Sequence, residues 1–107
     1  MTNKLTPYIE YHPNGNVWIK GQLNSKGQEE GIWERFYENG NIYRITPYVE
    51  GKIVGIVEWF NENGNIRVRT PYKNNEIDGI EEEFDEQGNI TETRVWKDGE
   101  LIEKTQH

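Results

Sequence analysis

The chain contains no cysteine, which excludes a disulfide framework, thiolate metal sites and cysteine nucleophiles. No apolar run approaches the ~18 residues of a membrane span, and Met1-Thr2-Asn3-Lys4 lacks the apolar core of a signal peptide. Histidine is nearly absent. His12 precedes a proline in a turn, and His107 is terminal and expected to be mobile. Neither stands near a serine or acid at triad spacing, no Cys/His set has zinc spacing, and no Gly-rich loop leads into a helix. Basic residues are also few, 12 against 19 acidic ones, for a net charge of −7. That balance disfavours direct binding to nucleic acid or to an anionic membrane and suits a basic partner. The expectation is a soluble, cytoplasmic protein that is not an enzyme and uses no cofactor or metal. Hydrophobic residues make up only 33% of the 107, but 4 Trp, 6 Tyr and 3 Phe supply large burial per residue, so a thin core is within reach.

What the chain does have is repetition. Asn14-Gly15-Asn16, Asn39-Gly40-Asn41, Asn63-Gly64-Asn65 and Gln87-Gly88-Asn89 set glycines 25, 24 and 24 residues apart. A second series, Gly27, Gly51, Asn75 and Gly99, keeps a spacing of 24, and a third is Gly31, Gly55 and Gly79. One extra residue therefore lies in the first unit, between Gly15 and Gly27. A period in this range marks stacked repeats. The chain reads as one domain of four units, at about 7–31, 32–55, 56–79 and 80–103.

Each unit carries two short runs rich in β-branched and aromatic residues around the Asn-Gly turn, such as residues 32–37 and 42–46. Strand, Asn-Gly, strand is a strong hairpin signal. The fold class is all-β: about eight short strands in tandem hairpins, forming an elongated antiparallel meander sheet or solenoid. A two-residue type I′ turn at Asn39-Gly40 would set Tyr37 against Ile42. A three-residue loop, Glu38-Asn39-Gly40, with a left-handed glycine and a G1 bulge sets Phe36 against Ile42. The second choice aligns the repeating apolar columns.

Columns that repeat are expected to serve stacking. They are Tyr11, Phe36, Phe60 and Phe84; Val17, Ile42, Ile66 and Ile90; Pro7, Ile32, Ile56 and Ile80; and Leu23, Tyr48, Tyr72 and Trp96. All are expected on one face, as the core. On that face Glu34, Glu58 and Glu82 form an odd column, with Glu34 expected opposite Arg44, Glu58 opposite Val68 and Glu82 opposite Glu92. Solvated strand edges explain it better than a metal or catalytic strip.

The columns that vary are expected on the other face and supply the candidate partner-binding residues: Trp33, Arg35, Tyr37, Tyr43, Trp59, Arg67, Arg69, Glu81, Glu83, Asp85 and Glu86. Trp, Tyr and Arg dominate interface hot spots. Residues 80–107 carry −6 of the −7, as either a solvated end cap or a field that steers a basic partner.

The pattern Phe-x-Glu-Asn-Gly-Asn-Ile followed by Thr-Pro-Tyr, a loop and Gly, at residues 36–55 and 60–79, resembles the MORN-repeat variant found in the YwqK family of bacterial antitoxins. The likeness covers about residues 8 to 103. It implies an all-β repeat sheet and neutralisation of a partner toxin. The repeated Thr-Pro and the acidic last unit depart from that pattern. Some MORN proteins bind lipid, but the basic clusters needed for anionic lipid are absent here. The function expected is a protein-binding module that occludes the active or nucleic-acid-binding surface of a partner with a basic surface, toxin or nuclease-like, in the manner of an antitoxin or immunity protein. The alternatives are a phage-encoded inhibitor of a host defence nuclease acting partly as a nucleic-acid mimic, and a structural self-assembly module. A homodimer through the N-terminal repeat edge is also expected.

Overall fold

In the turn Tyr37-Glu38-Asn39-Gly40, the Gly40 amide donates to the Tyr37 carbonyl at 3.0 Å and the Tyr37 amide to the Asn41 carbonyl at 2.8 Å. Gly40 has φ +94°, a left-handed value that a side chain resists. This is the three-residue loop with its bulge, and Phe36 pairs with Ile42 as expected. The same turn recurs at the other three Asn/Gln-Gly sites. The second series of turns differs between units. Units two to four use two-residue turns with both residues at positive φ, Glu50-Gly51, Asn74-Asn75 and Asp98-Gly99. Unit one uses the longer Ser25-Lys26-Gly27, capped by the Asn24 side chain, which accounts for its extra residue.

The computed structural model describes residues 4–107. Among these there is no helix, so no helix is long and apolar enough to cross a membrane. The strands are β1 (Thr6–Tyr11), β2 (Val17–Leu23), β3 (Gly31–Phe36), β4 (Ile42–Val49), β5 (Lys52–Ile53), β6 (Gly55–Phe60), β7 (Ile66–Lys73), β8 (Glu76–Ile77), β9 (Gly79–Phe84), β10 (Ile90–Lys97) and β11 (Glu100–Gln106). They form one open antiparallel sheet in the order β1-β2-β3-β4-β6-β7-β9-β10-β11, with β5 on β4 and β8 on β7. Against the eight strands expected, β5 and β8 are short lead-ins to the first strands of units three and four, and β11 is the start of a fifth first strand. The sheet is a single layer, 46 × 35 × 17 Å in extent.

Between units the pairing is short. β4 meets β6 through Arg44–Trp59 and Ile45–Glu58, and the other seams match it. Past those pairs the seam opens at Pro47, which has no amide hydrogen to donate. Its neighbour across the gap is Gly55, at φ +121°, where a Cβ would sit 3.1 Å from Pro47 Cγ. Gly79 faces Pro71 in the same way, so Thr46-Pro47 with Gly55 and Thr70-Pro71 with Gly79 are two sides of one interruption, whereas Gly31 faces Gln22.

Hydrogen bonds between turns carry the stacking where the strand ladder does not, from side chains at one end and from the backbone at the other. The Asn16 and Asn41 amides donate to the Glu38 and Glu62 carbonyls of the next unit, each at 2.7 Å. Asn65 makes the matching bond to the Glu86 carbonyl at 3.2 Å. At the other end the Gly51, Asn75 and Gly99 amides donate to the Glu29, Ile53 and Ile77 carbonyls, each at 2.9 Å. The second asparagine of each Asn-Gly-Asn therefore ties neighbouring turns together.

Each of the four Asn/Gln-Gly hairpins contains a second bulge that the sequence reading lacks. Phe36 pairs with Ile42 but Arg35 with Arg44, which leaves Tyr43 as the extra residue. Trp18, Arg67 and Thr91 are extra in the other units. One inserted residue exchanges the faces of everything beyond it. Leu23, Tyr48, Tyr72 and Trp96 therefore share a face with Trp33, not with Phe36. Glu34 lies opposite Ile45 rather than Arg44, Glu58 opposite Arg69 and Glu82 opposite Thr93.

The expected burial is reversed as well. Among the described residues the five that are buried, Ile19, Thr46, Val57, Thr70 and Glu92, lie on the Trp33 and Trp59 side. We call it the tryptophan face. On the other, the isoleucine face, Ile32, Ile56 and Ile80 are exposed, and Phe36, Phe60 and Phe84 are half-buried. Broad rings cover small neighbours on the first face, whereas the second has short aliphatics with no layer over them.

Candidate functional site

Two uninterrupted rows of paired residues cross the sheet. On the tryptophan face the row reads Glu10, Ile19, Arg35, Arg44, Trp59, Val68, Glu83, Glu92 and Gln106. The same pair of cross-strand positions thus carries two arginines in unit two, Trp59 and Val68 in unit three, and two carboxylates in unit four.

Unit two presents aromatic rings and unpaired positive charge. The Trp33 indole lies across Gly21, where a Cβ would collide with the ring. Its Nε1 donates to the Gln22 carbonyl at 3.1 Å. The Tyr8 ring stands 5.4 Å away and Tyr48 6.2 Å away, edge-on. Arg44 Cζ lies 4.8 Å over the Trp59 ring, a cation–π contact, and its Nε donates to Thr46 Oγ1 at 2.7 Å. Arg35 is exposed. Among the described residues neither arginine has a carboxylate within ion-pair distance. Like charges set directly opposite cost stability, and here Arg44 offsets part of that cost through Trp59 and Thr46 while Arg35 projects to solvent. A cavity of about 360 Å³ opens here, lined by Tyr8, Trp33, Arg35, Arg44, Thr46 and Tyr48 among others.

Tyr43, the bulged residue, packs edge-on against Trp59 at 5.7 Å and against Tyr37 at 5.1 Å. The Tyr37 hydroxyl donates to the Phe60 carbonyl at 2.6 Å, and His12 bonds the Phe36 carbonyl at 2.7 Å from the equivalent place in unit one. Burial raises the Tyr37 pKa above the usual tyrosine value. His12 and Tyr37 are therefore part of the stacking between units. His107, expected to be mobile, is docked: its amide donates to the Thr91 carbonyl at 2.8 Å, and its ring lies 3.0 Å from Thr93 Oγ1.

Unit four is less free than its charge implies. Glu81 and Glu83 accept from Arg94 at 3.0 and 2.6 Å, and Glu92 pairs with the same guanidinium. These bonds, that to Glu83 foremost, raise the Arg94 pKa. Glu81 also accepts from Thr70 Oγ1 at 2.6 Å and Trp96 Nε1 at 3.1 Å. Asp85 caps its own turn, accepting from the Gln87 and Asn89 amides at 2.9 Å. Glu86 is exposed at the turn.

The tryptophan face brings together Trp33, Arg35, Tyr43, Trp59, Arg67, Glu81 and Glu83. Tyr37 joins them through Tyr43, and Arg67 lines the same hollow as Trp59, Tyr72 and Glu81. Arg69 is not among them. It lies on the isoleucine face, where its Nε is 3.5 Å from Glu58. Sequence reasoning left out Arg44, Tyr48, Glu92 and Arg94, which the second bulge carries to this face. Their alternation would have shown them only with that bulge known.

The model of the MORN repeat variant matches four times, over residues 6–26, 29–50, 53–74 and 77–98. No curated protein and no solved structure matches the chain. Each match spans one Asn/Gln-Gly hairpin and together they cover most of the 107 residues, so the chain belongs to the MORN repeat variant family.

Proposed function

We propose that the chain is a non-catalytic binding protein that grips a partner protein with its tryptophan face and occludes a functional surface of it, as an antitoxin or immunity protein does. Membership in the MORN repeat variant family suggests a repeat-type protein-binding module. The observation that carries the finer reading is the strip from Trp33 to Glu83. It sets Trp, Tyr and unpaired Arg beside carboxylates on one face, and Trp, Tyr and Arg are the residues enriched in interface hot spots. Arg35 and Arg44 favour a partner that offers a carboxylate to the middle of the strip. The carboxylates of unit four favour basic residues at its end, where their effect is mainly on association rate.

The nucleic-acid-mimic alternative gains less support, because Glu81, Glu83 and Glu92 converge on Arg94 and Asp85 is spent on its turn. The partner surface is therefore mixed in charge rather than uniformly basic. The test is affinity capture from source cells with the wild type and with Trp59→Ala and Arg44→Ala, followed by activity assays of the captured protein. The expected result is a captured protein whose activity falls stoichiometrically with added wild type. Each substitution is expected to weaken capture by at least ~10-fold, as hot-spot truncation does. Equal capture by wild type and both variants contradicts the assignment of this face.

A further inference from the structure

Domains bury a sheet's apolar face against a second layer. This sheet has one layer, and its isoleucine face is uncovered: Ile32 is 56% exposed, Ile56 46% and Ile80 60%. We propose that the missing layer is a second copy of this chain, packed isoleucine face to isoleucine face as a two-fold β-sandwich.

The charges on that face select the occupant. Between its two apolar stripes runs one unbroken row: Ile9, Lys20, Glu34, Ile45, Glu58, Arg69, Glu82, Thr93 and Thr105. A two-fold axis lying along the strands, between β4 and β6, preserves the position along each strand and reverses the order across the sheet. It sets Lys20 over Glu82 of the other copy and Glu34 over its Arg69, each contact made twice. Ile45 lies over Glu58, which keeps its own Arg69 within the chain at 3.5 Å. The same operation sets Pro47 over Ile56 and Ile32 over Pro71 in one stripe. In the other it sets Ile42 over Phe60 and Phe36 over Ile66. One symmetry thus sets most of the two stripes apolar on apolar, with Ile80 over Gln22 at the margin, and gives Lys20, Glu34, Arg69 and Glu82 opposite charges.

Burying a charged row is costly unless it is paired, so an uncharged apolar partner fits this face less well than a second copy. A face of 46 × 35 Å exceeds the ~800 Å² that each partner contributes to a stable interface. Sheets packed this way cross at roughly 30°, which the long Lys, Arg and Glu side chains span. The dimer leaves both tryptophan faces outward, so it presents two binding strips. It differs from a contact through the β1 edge, which would leave the isoleucine face exposed.

Sedimentation velocity on the full chain over two decades of concentration tests it. The wild type is expected to sediment at twice the chain mass. Ile56→Asp, on an exposed position, is expected to give a folded monomer by circular dichroism. Lys20→Glu is expected to weaken the dimer by ~10-fold, since one lost pair and one repulsion occur twice. Adding Glu82→Lys to it is expected to restore most of that loss, which a merely structural effect would not do. A wild type that stays monomeric overturns the proposal. So does a dimer indifferent to Ile56→Asp, as an edge-to-edge contact would be, and so does a double charge swap that fails to recover affinity.

Discussion

The two faces of this sheet differ in a way that reverses a common intuition about repeats. The isoleucine face carries three of the four columns that repeat, yet it is the more open. The tryptophan face changes from unit to unit, yet it holds Ile19, Thr46, Val57, Thr70 and Glu92 buried. Recurrence on the first face follows from hairpin geometry, because Phe36–Ile42 and its counterparts close each turn. Closure on the second comes from broad side chains lying over small ones, and different units achieve it with different chemistry. Repetition therefore marks the scaffold here without marking its interior.

The sharpest way to break this comparison is Gly21→Ala. The new methyl group collides with the Trp33 indole and must displace it. The expected loss is ~3 kcal/mol in urea unfolding, from overpacking and a lost tryptophan contact. A variant as stable as wild type would mean that Trp33 does not lie there. Next comes a neighbouring pair on opposite faces, measured on dilute monomer. Val57→Ala, at 1% exposure, is expected to cost about 2 kcal/mol, and Ile56→Ala, at 46%, under ~1 kcal/mol. Equal costs would erase the distinction between the faces.

Much of the architecture was legible. The period, the three-residue loop with left-handed glycine, the extra residue of unit one and the tandem hairpins all rest on local turn chemistry. Three things were not. The second bulge leaves no mark in composition, since Trp18, Tyr43, Arg67 and Thr91 share no property that demands it. That one residue per hairpin inverted the assignment of Tyr48, Tyr72 and Trp96, and it moved Arg69 away from the candidate site. The stacking role of the second asparagine of Asn-Gly-Asn has no local signal, because its partner carbonyl lies a whole unit away. The acidic run looked like a free field because Arg94, which neutralises part of it, enters from the next strand.

The smallest expected effect concerns Tyr37, which links unit two to unit three. Its hydroxyl donates to the Phe60 carbonyl, and its pKa is raised above the ordinary 10.0. The folded state thus holds this proton more tightly than the unfolded state. Its contribution is complete below pH 10.0 and is lost as pH rises through the higher folded value. Tyr37→Phe is expected to cost ~1 kcal/mol at neutral pH and to decline less steeply above pH 10.0 than wild type. Parallel alkaline profiles would contradict the rise that burial gives the Tyr37 pKa.

The central claim is that the second bulge brings Gly21, Arg44 and Tyr48 onto the face that carries Trp33, Tyr43 and Trp59. Nuclear Overhauser spectra of labelled protein test it most directly. The account predicts cross-peaks from the Trp33 indole to the Gly21 α-protons, shifted upfield by the ring, and from the Tyr43 ring to Trp59. Cross-peaks from Tyr48 to Phe36 or Ile32, with the Trp33 and Gly21 signals unconnected, would contradict it.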